Sequence, residues 1–355
     1  MSDSDGIRVD FDGIAEEARK GGEVQIEFTP DRPAGRELFD AMSQALEAAN
    51  EALSSDDFGS GLISTVAGCG TTLRYPSTEQ ALRDWLRVFT RRLWAEGWGG
   101  SLQLTPAVFP PPWLRTLRQP ILTVFASYDV AAGDVVGLRL CEAVTAWARS
   151  HGGPDEYLVN SGLTMPDRTG DLSLHVRRAL SHGSLSSAIC TSAQPGPMSR
   201  ISFAADGRAA HQVYAPETTP MDLVGAVREL LLVDCEATRW AAVAATTRPS
   251  HAWTTLNKVR GQPSPQAGWV AGFNNPAWSM HVPDAFGMQL LTSEHLSRVT
   301  DLSGWSVTEV APGRHLVEAP DLGDWTSFDG PQPDTLAAAR TDFGRAIDPT
   351  ELTTR

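Results

Sequence analysis

The residue types that most often carry out catalysis are present but scattered. The eight histidines are His151, His175, His182, His211, His251, His281, His295 and His315. They form neither an HxH nor an HExxH pattern, and none stands at the His/Cys spacing of a zinc site, where several ligands must converge on one ion. The four cysteines, Cys69, Cys141, Cys190 and Cys235, are far apart in sequence, so there is no CxxC redox or metal pair. They read as reduced, buried, small apolar residues. No GxSxG elbow presents a nucleophilic serine. The glycine clusters Gly68-Cys69-Gly70 and Gly97-Trp98-Gly99-Gly100 match neither GxGxxG nor GxxxxGK[ST]. The carboxylates Asp56-Asp57 and Asp321/Asp324 sit among glycines and serines as solvated turns, too sparse for a calcium or magnesium shell. The expectation is no catalytic residue, no metal and no cofactor.

One group of residues fits binding better than catalysis. Trp253, Trp269, Trp278, Trp305 and Trp325 gather near the C-terminus, around Asn274-Asn275-Pro276. Tryptophan anchors carry a large share of protein-interface energy. Trp269, Asn274, Asn275, Trp278, His281 and Asp284 are therefore the candidate partner-binding residues. The competing reading is a tryptophan-rich core.

The elements that must position these residues follow from periodicity. Glu23–Thr29 alternates as a half-buried strand. Residues 35–54 place Leu38, Met42, Ala45, Ala49 and Leu53 on one helical face. Residues 61–66 and 71–75 read as a hairpin. Ser77 and Gln80 suggest a capping box for a helix whose stripe is Leu82, Trp85, Leu86, Phe89 and Leu93. Residues 101–105 close the set as a strand. The order βαββαβ over 22–106 is that of a ferredoxin-like unit.

A proline-rich linker, 107–120, includes Pro110-Pro111-Pro112. The span 121–347 reads as a second, larger unit. It has a strand at 121–130, a helix capped by Asp134, a strand at 157–164, a helix at 171–181 and a strand at 185–192. A hairpin follows across Asp206-Gly207, then a helix opened by Thr219-Pro220 and a strand at 241–246. Helix, hairpin, helix and strand thus come in the same order twice. Met288–Leu291 leads into a short helix capped by Thr292 or Ser293, 306–310 and 315–318 pair across Pro312-Gly313, and Asp334 caps a last helix. The fold class expected is α+β, two ferredoxin-like-type units with helix-covered antiparallel sheets. A loose acidic arm, 1–21, and a tail, 348–355, are expected at the two ends.

The 355 residues carry a net charge of −14. Residues 1–60 hold 15 acidic and 5 basic side chains, and 301–355 hold 10 and 4, so the two ends carry −10 and −6. Nucleic-acid binding needs a basic face, so nucleic acid is excluded as a partner. No apolar run approaches the ~20 residues that span a bilayer, and the acidic, polar start is unlike a secretory signal, so no membrane partner and a cytoplasmic location are expected. A basic protein fits this charge by long-range attraction.

From Trp269–Phe273, through Met288–Leu296, to Gly313–Ala319 and Asp321-Leu322-Gly323-Asp324, the C-terminal third resembles bacterial polymorphic-toxin and secretion-system immunity proteins. Those carry a Gly-Trp strand, a short helix, a second strand, a Gly-Asp turn and a final helix. Val270-Ala271 stands where they carry Tyr-Leu. The resemblance implies a non-catalytic protein that neutralises a toxin by binding it. The alternatives are an enzyme whose motif-less site lies between the units, and a structural or chaperone component of a secretion or phage-like assembly.

Overall fold

The computed structural model describes residues 6–53, 58–75, 78–105, 111, 113–114, 121–129, 135–160, 163–167, 169–181, 186–203, 207–246, 280–327 and 330–347. Most of 107–120, the caps Ser77 and Asp134, the turn at Asp206, the tail and the stretch holding Trp253 to Trp278 lie outside them. The protein is α+β, with two largely antiparallel sheets covered by helices. Two compact units divide it, Met1–Pro110 with Tyr157–Ala188, and Pro111–Glu156 with Ile189–Arg355.

In the first unit, β1 (Ile7–Val9) and α1 (Phe11–Gly21) precede β2 (Glu23–Pro30), α2 (Arg36–Ala52), β3 (Gly59–Ser64), β4 (Cys69–Arg74), α3 (Glu79–Ala95) and β5 (Gly100–Thr105). The sheet order is β1-β5-β2-β4-β3. Pairs β5–β2, β2–β4 and β4–β3 are antiparallel, and β1 joins β5 in parallel. Each helical crossover therefore spans one intervening strand, the split βαβ arrangement. Val24, Ile26 and Phe28 alternate onto one face of β2 and share a core with Met42, Leu82, Trp85 and Phe89. Asn50 fastens α2 to β3 and α3. Its Nδ2 donates to the Gly59 carbonyl at 2.8 Å, and its Oδ1 accepts from Gly59 N–H at 2.9 Å and Trp85 Nε1–H at 2.9 Å.

Residues 7–21, expected as a loose arm, are instead ordered. Phe11, Ile14, Ala15 and Ala18 make a buried helical stripe. Two alanines dilute the apolar signal of that stripe beside the charged residues of the segment. Asp10 caps α1 by accepting from Gly13 N–H, and Gly22 ends it at φ 69°, its N–H bonding Ala18 O. The Arg83 guanidinium lies 3.6 Å over the Phe11 ring. The cap of α3 also differs from expectation. Thr78 accepts from Ala81 N–H, and Gln80 turns to Asp84.

The second sheet runs β14-β15-β13-β12-β6-β11-β10-β9-β7-β8. Its strands are β6 (Ile121–Tyr128), β7 (Asp155–Asn160), β8 (Leu163–Pro166), β9 (Ser186–Thr191), β10 (Met198–Phe203), β11 (Arg208–Tyr214), β12 (Thr238–Thr246), β13 (Met288–Thr292), β14 (Ser306–Ala311) and β15 (Arg314–Glu318). The helices are α4 (Val135–His151), α5 (Leu172–Ser181), α6 (Val224–Leu232), α7 (Ser293–Leu296), α8 (Gly323–Thr326) and α9 (Pro333–Phe343). Within it, β12-β6-β11-β10 repeats the order β5-β2-β4-β3, again all antiparallel. The strand expected at 157–164 is a hairpin, β7 with β8. Thr219 and Asp222 cap the turn before α6 through Thr219 N–H to Oδ2 at 2.7 Å. Pro333 opens α9 one residue before the expected cap Asp334, with Gln332 outside it.

One face of this sheet meets α4 and α6, where Ser199 Oγ donates to Ala148 O and Trp147 Nε1 to Ala226 O. On the other, Phe125, Ala242, Leu291 and Val317 pack with Trp325 of α8 and Phe343 of α9.

Candidate interaction surface

The six residues selected from sequence divide in two. Trp269, Asn274, Asn275 and Trp278 lie outside the described residues. His281 and Asp284 fall in the segment that enters β13. Val282 N–H donates to Ala346 O and bridges Ile347, which fixes this segment against the chain leaving α9. Asp284 is fully buried. Its Oδ1 accepts from Ala285 N–H at 2.9 Å and Arg340 Nε at 2.8 Å, and its Oδ2 accepts from Arg340 Nη2 at 2.7 Å. Burial raises its carboxyl pKa, and the Arg340 guanidinium opposes that rise. The pair ties α9 to the segment before β13. His281 has a buried Nδ1 with no hydrogen-bond partner. Trp305 and Trp325 pack 6.2 Å apart, Trp305 meets Phe343 edge-on at 5.1 Å, and Trp305 Nε1 donates to Asp342. These two tryptophans belong to the core of the second unit.

Four of the described histidines, His151, His175, His211 and His295, have structural partners. In the first unit, His175 Nδ1 accepts from Val66 N–H at 3.1 Å, which leaves Nε2–H to donate to Asp167 at 3.0 Å. Both ring nitrogens are engaged, so this buried His–Asp pair has none left for a substrate. Burial works to raise the Asp167 pKa. The hydroxyl and N–H of Thr169 and the His175 ring outweigh it and hold the carboxyl below its usual range. His295 Nδ1 accepts from Thr292 N–H and closes the cap of α7. His211 is fully buried 3.3 Å from the Tyr128 hydroxyl, and burial drives its pKa down to about 3, so it stays neutral. Burial lifts the Cys69 thiol to about 12, far from a thiolate nucleophile. Among the described residues, no three His, Cys, Asp or Glu side chains gather as a metal site. None of the four cysteines is in a disulfide.

The structure brings together one pair that sequence spacing hides. Ser293 Oγ lies 3.1 Å from His315 Nε2. They are 22 residues apart and meet because β13 and β15 pair Leu291 with His315 and Thr292 with Arg314. Only that register could reveal the pair. An activated serine also needs its base oriented by a third group. Glu309 faces His315 across β14 and β15, but its Oε1 accepts from Gly313 N–H at 3.0 Å. No carboxylate bonds His315 Nδ1 among the described residues, and the pair is exposed.

Beside it lies the open side of the sheet. β14 is terminal in the strand order. Ser306, Val307, Thr308 and Glu309 are all exposed in succession, with Val307 at 42%. A strand with one covered face would alternate instead.

No family model matches the chain, and no curated protein matches it. Among solved structures it is similar to the Pseudomonas aeruginosa T6SS protein PA0821, at 11% identity and a TM-score of 0.42, over 64% of this chain and 73% of that one. No helix among the described residues is long and apolar enough to cross a membrane.

Proposed function

We propose that this chain is a non-catalytic cytoplasmic protein-binding protein, immunity-like in action, which neutralises a basic toxin by occupying it. The observation that carries the reading is the acidic, open C-terminal edge. Residues 301–327 carry Asp301, Glu309, Glu318, Asp321 and Asp324 against Arg314 alone, and four successive residues of β14 face solvent. The engagement of the buried histidines and Asp284 in internal bonds supports it. Electrostatic complementarity of this kind speeds encounter and selects partners. The test is co-purification of tagged full-length chain from its source cells, followed by co-expression with the captured protein. A stoichiometric basic partner whose toxicity the chain suppresses is expected. Recovery of no stoichiometric partner overturns the reading.

A hydrolytic reading has one specific observation in its favour, the Ser293–His315 contact. Labelling of Ser293 by a fluorophosphonate would establish it.

A further inference from the structure

We propose that β14 is a docking edge that takes an extended, basic segment of a partner protein as an added antiparallel strand. The inference rests on the protein-binding reading and names where that binding occurs. Three features of the edge carry it.

The first is open backbone. In an antiparallel ladder alternate residues turn their N–H and C=O away from the paired strand. β14 pairs with β15 from Ser306↔Glu318 to Glu309↔His315, and no described strand lies beyond it. The second is the lack of an edge guard over this stretch. Sheet edges are commonly blunted by lysine, proline or a bulge. β14 reads Ser-Val-Thr-Glu-Val-Ala, with neither lysine nor proline. Its register shift falls between Glu309 and Ala311, which leaves Ser306–Glu309 regular, a run of about 13 Å. The third is charge. Glu309 is the only charged residue of β14, and Asp301 precedes it in the loop before the strand. Of the nearby cations, Arg314 is turned to the Glu236 carbonyl and Arg228 is paired with Glu318. Arg314 keeps its charge on that neutral carbonyl, but Asp301, Glu309 and Glu236, the last in the turn that contacts β14, outnumber it, so the edge is net acidic. Self-pairing of two such edges would bring like charges together, whereas lysine or arginine at alternate positions of an incoming strand meets them.

The test titrates the full chain with an acetylated hexapeptide alternating lysine and valine, beside an analogue of equal charge with a central proline. Amide hydrogen exchange is followed throughout. Slowed exchange confined to Ser306–Ala311, with binding lost for the proline analogue, is the expected result. Glu309→Lys, which exchanges attraction for repulsion, and, separately, Val307→Arg, which adds a positive charge facing the basic strand, should each weaken binding about five- to tenfold. Circular dichroism confirms that each variant is folded. Equal binding of the proline analogue, protection elsewhere, no protection at all, or a dimer joined through β14 would each overturn the proposal. A natural partner captured equally by wild type and by a chain carrying both Glu309→Lys and Val307→Arg overturns the edge but not the protein-binding reading. Peptide protection at β14 with no natural partner overturns that reading but not the edge.

Discussion

Arg340 grips Asp284 with two hydrogen bonds, from Nε at 2.8 Å and Nη2 at 2.7 Å. The carboxylate is fully buried while the guanidinium keeps 28% exposure. Removing the arginine strands a charge that water cannot reach, and removing one partner of a buried pair costs about 3–5 kcal/mol. Arg340→Ala should be destabilised by roughly that amount at neutral pH in urea unfolding. The loss should shrink with acidification. The Asp284 pKa is already raised, and losing Arg340 raises it further. Stability tied to a raised carboxyl is fully present below the unfolded pKa and lost as pH rises through the folded one. A gap between variant and wild type that stays constant from neutral pH down to pH 4 contradicts this.

Asp167 shows the opposite linkage. Its folded pKa is depressed, with Thr169 and His175 as the favourable partners. The stability this contributes is present above the unfolded carboxyl value and lost as pH falls through the folded pKa. Thr169→Val should therefore cost about 1–2 kcal/mol near pH 7 and much less below pH 3. Thermal melts of the two proteins across that range measure it.

Asn50→Ala should cost about 3 kcal/mol, since three bonds of about 1 kcal/mol are lost and the Trp85 N–H is left buried. Asn50→Asp keeps both acceptor contacts and loses the donor to Gly59 O, so it should fall between alanine and wild type when all three are unfolded in guanidinium.

A Cβ on Gly287 would come within 2.3 Å of Trp325 Cγ. Gly287→Ala should be destabilised by about 1–3 kcal/mol. In a Trp325→Ala background, which lacks the Cγ and Cδ1 atoms at 2.3 and 2.7 Å, Gly287→Ala should cost less if the clash is the cause. Calorimetric melts of the single and double variants separate the two effects.

A fluorophosphonate probe should leave Ser293 unlabelled at neutral pH, because no carboxylate orients His315 among the described residues. Labelling that disappears in His315→Ala, read by intact-protein mass spectrometry, would instead support a serine hydrolase.

The regular elements were legible wherever apolar periodicity was strong. β2, α2 and α3 lie within a residue or two of their expected bounds, and the order from β2 to β5 could be written from spacing alone. α1 was hidden because Ala15 and Ala18 contribute little apolar signal beside Glu16, Glu17, Arg19 and Lys20. Thr78 and Ser77 are equally good cap chemistry, and only backbone angles choose between them. The site was less legible still. Asp284 and Arg340 are 56 residues apart, and Ser293 and His315 become neighbours through strand register. Trp305 and Trp325 shared a composition signal with Trp269 and Trp278 but have a packing role. The exposure of β14 depends on what the chain does not place beside it, which no local pattern encodes.

The first unit is not one continuous stretch of sequence, because it includes Tyr157–Ala188. His175 and Arg178 from that stretch supply bonds to Val66, and Arg178 one to Ala34. Domains generally form from the N-terminus onward as the ribosome delivers them. Here the N-terminal unit cannot finish until residue 188 has emerged, by which time β6 and α4 of the other unit have already been synthesised. Vectorial synthesis therefore imposes a waiting period, in which Val66 and Ala34 lack their partners while segments of both units are exposed together.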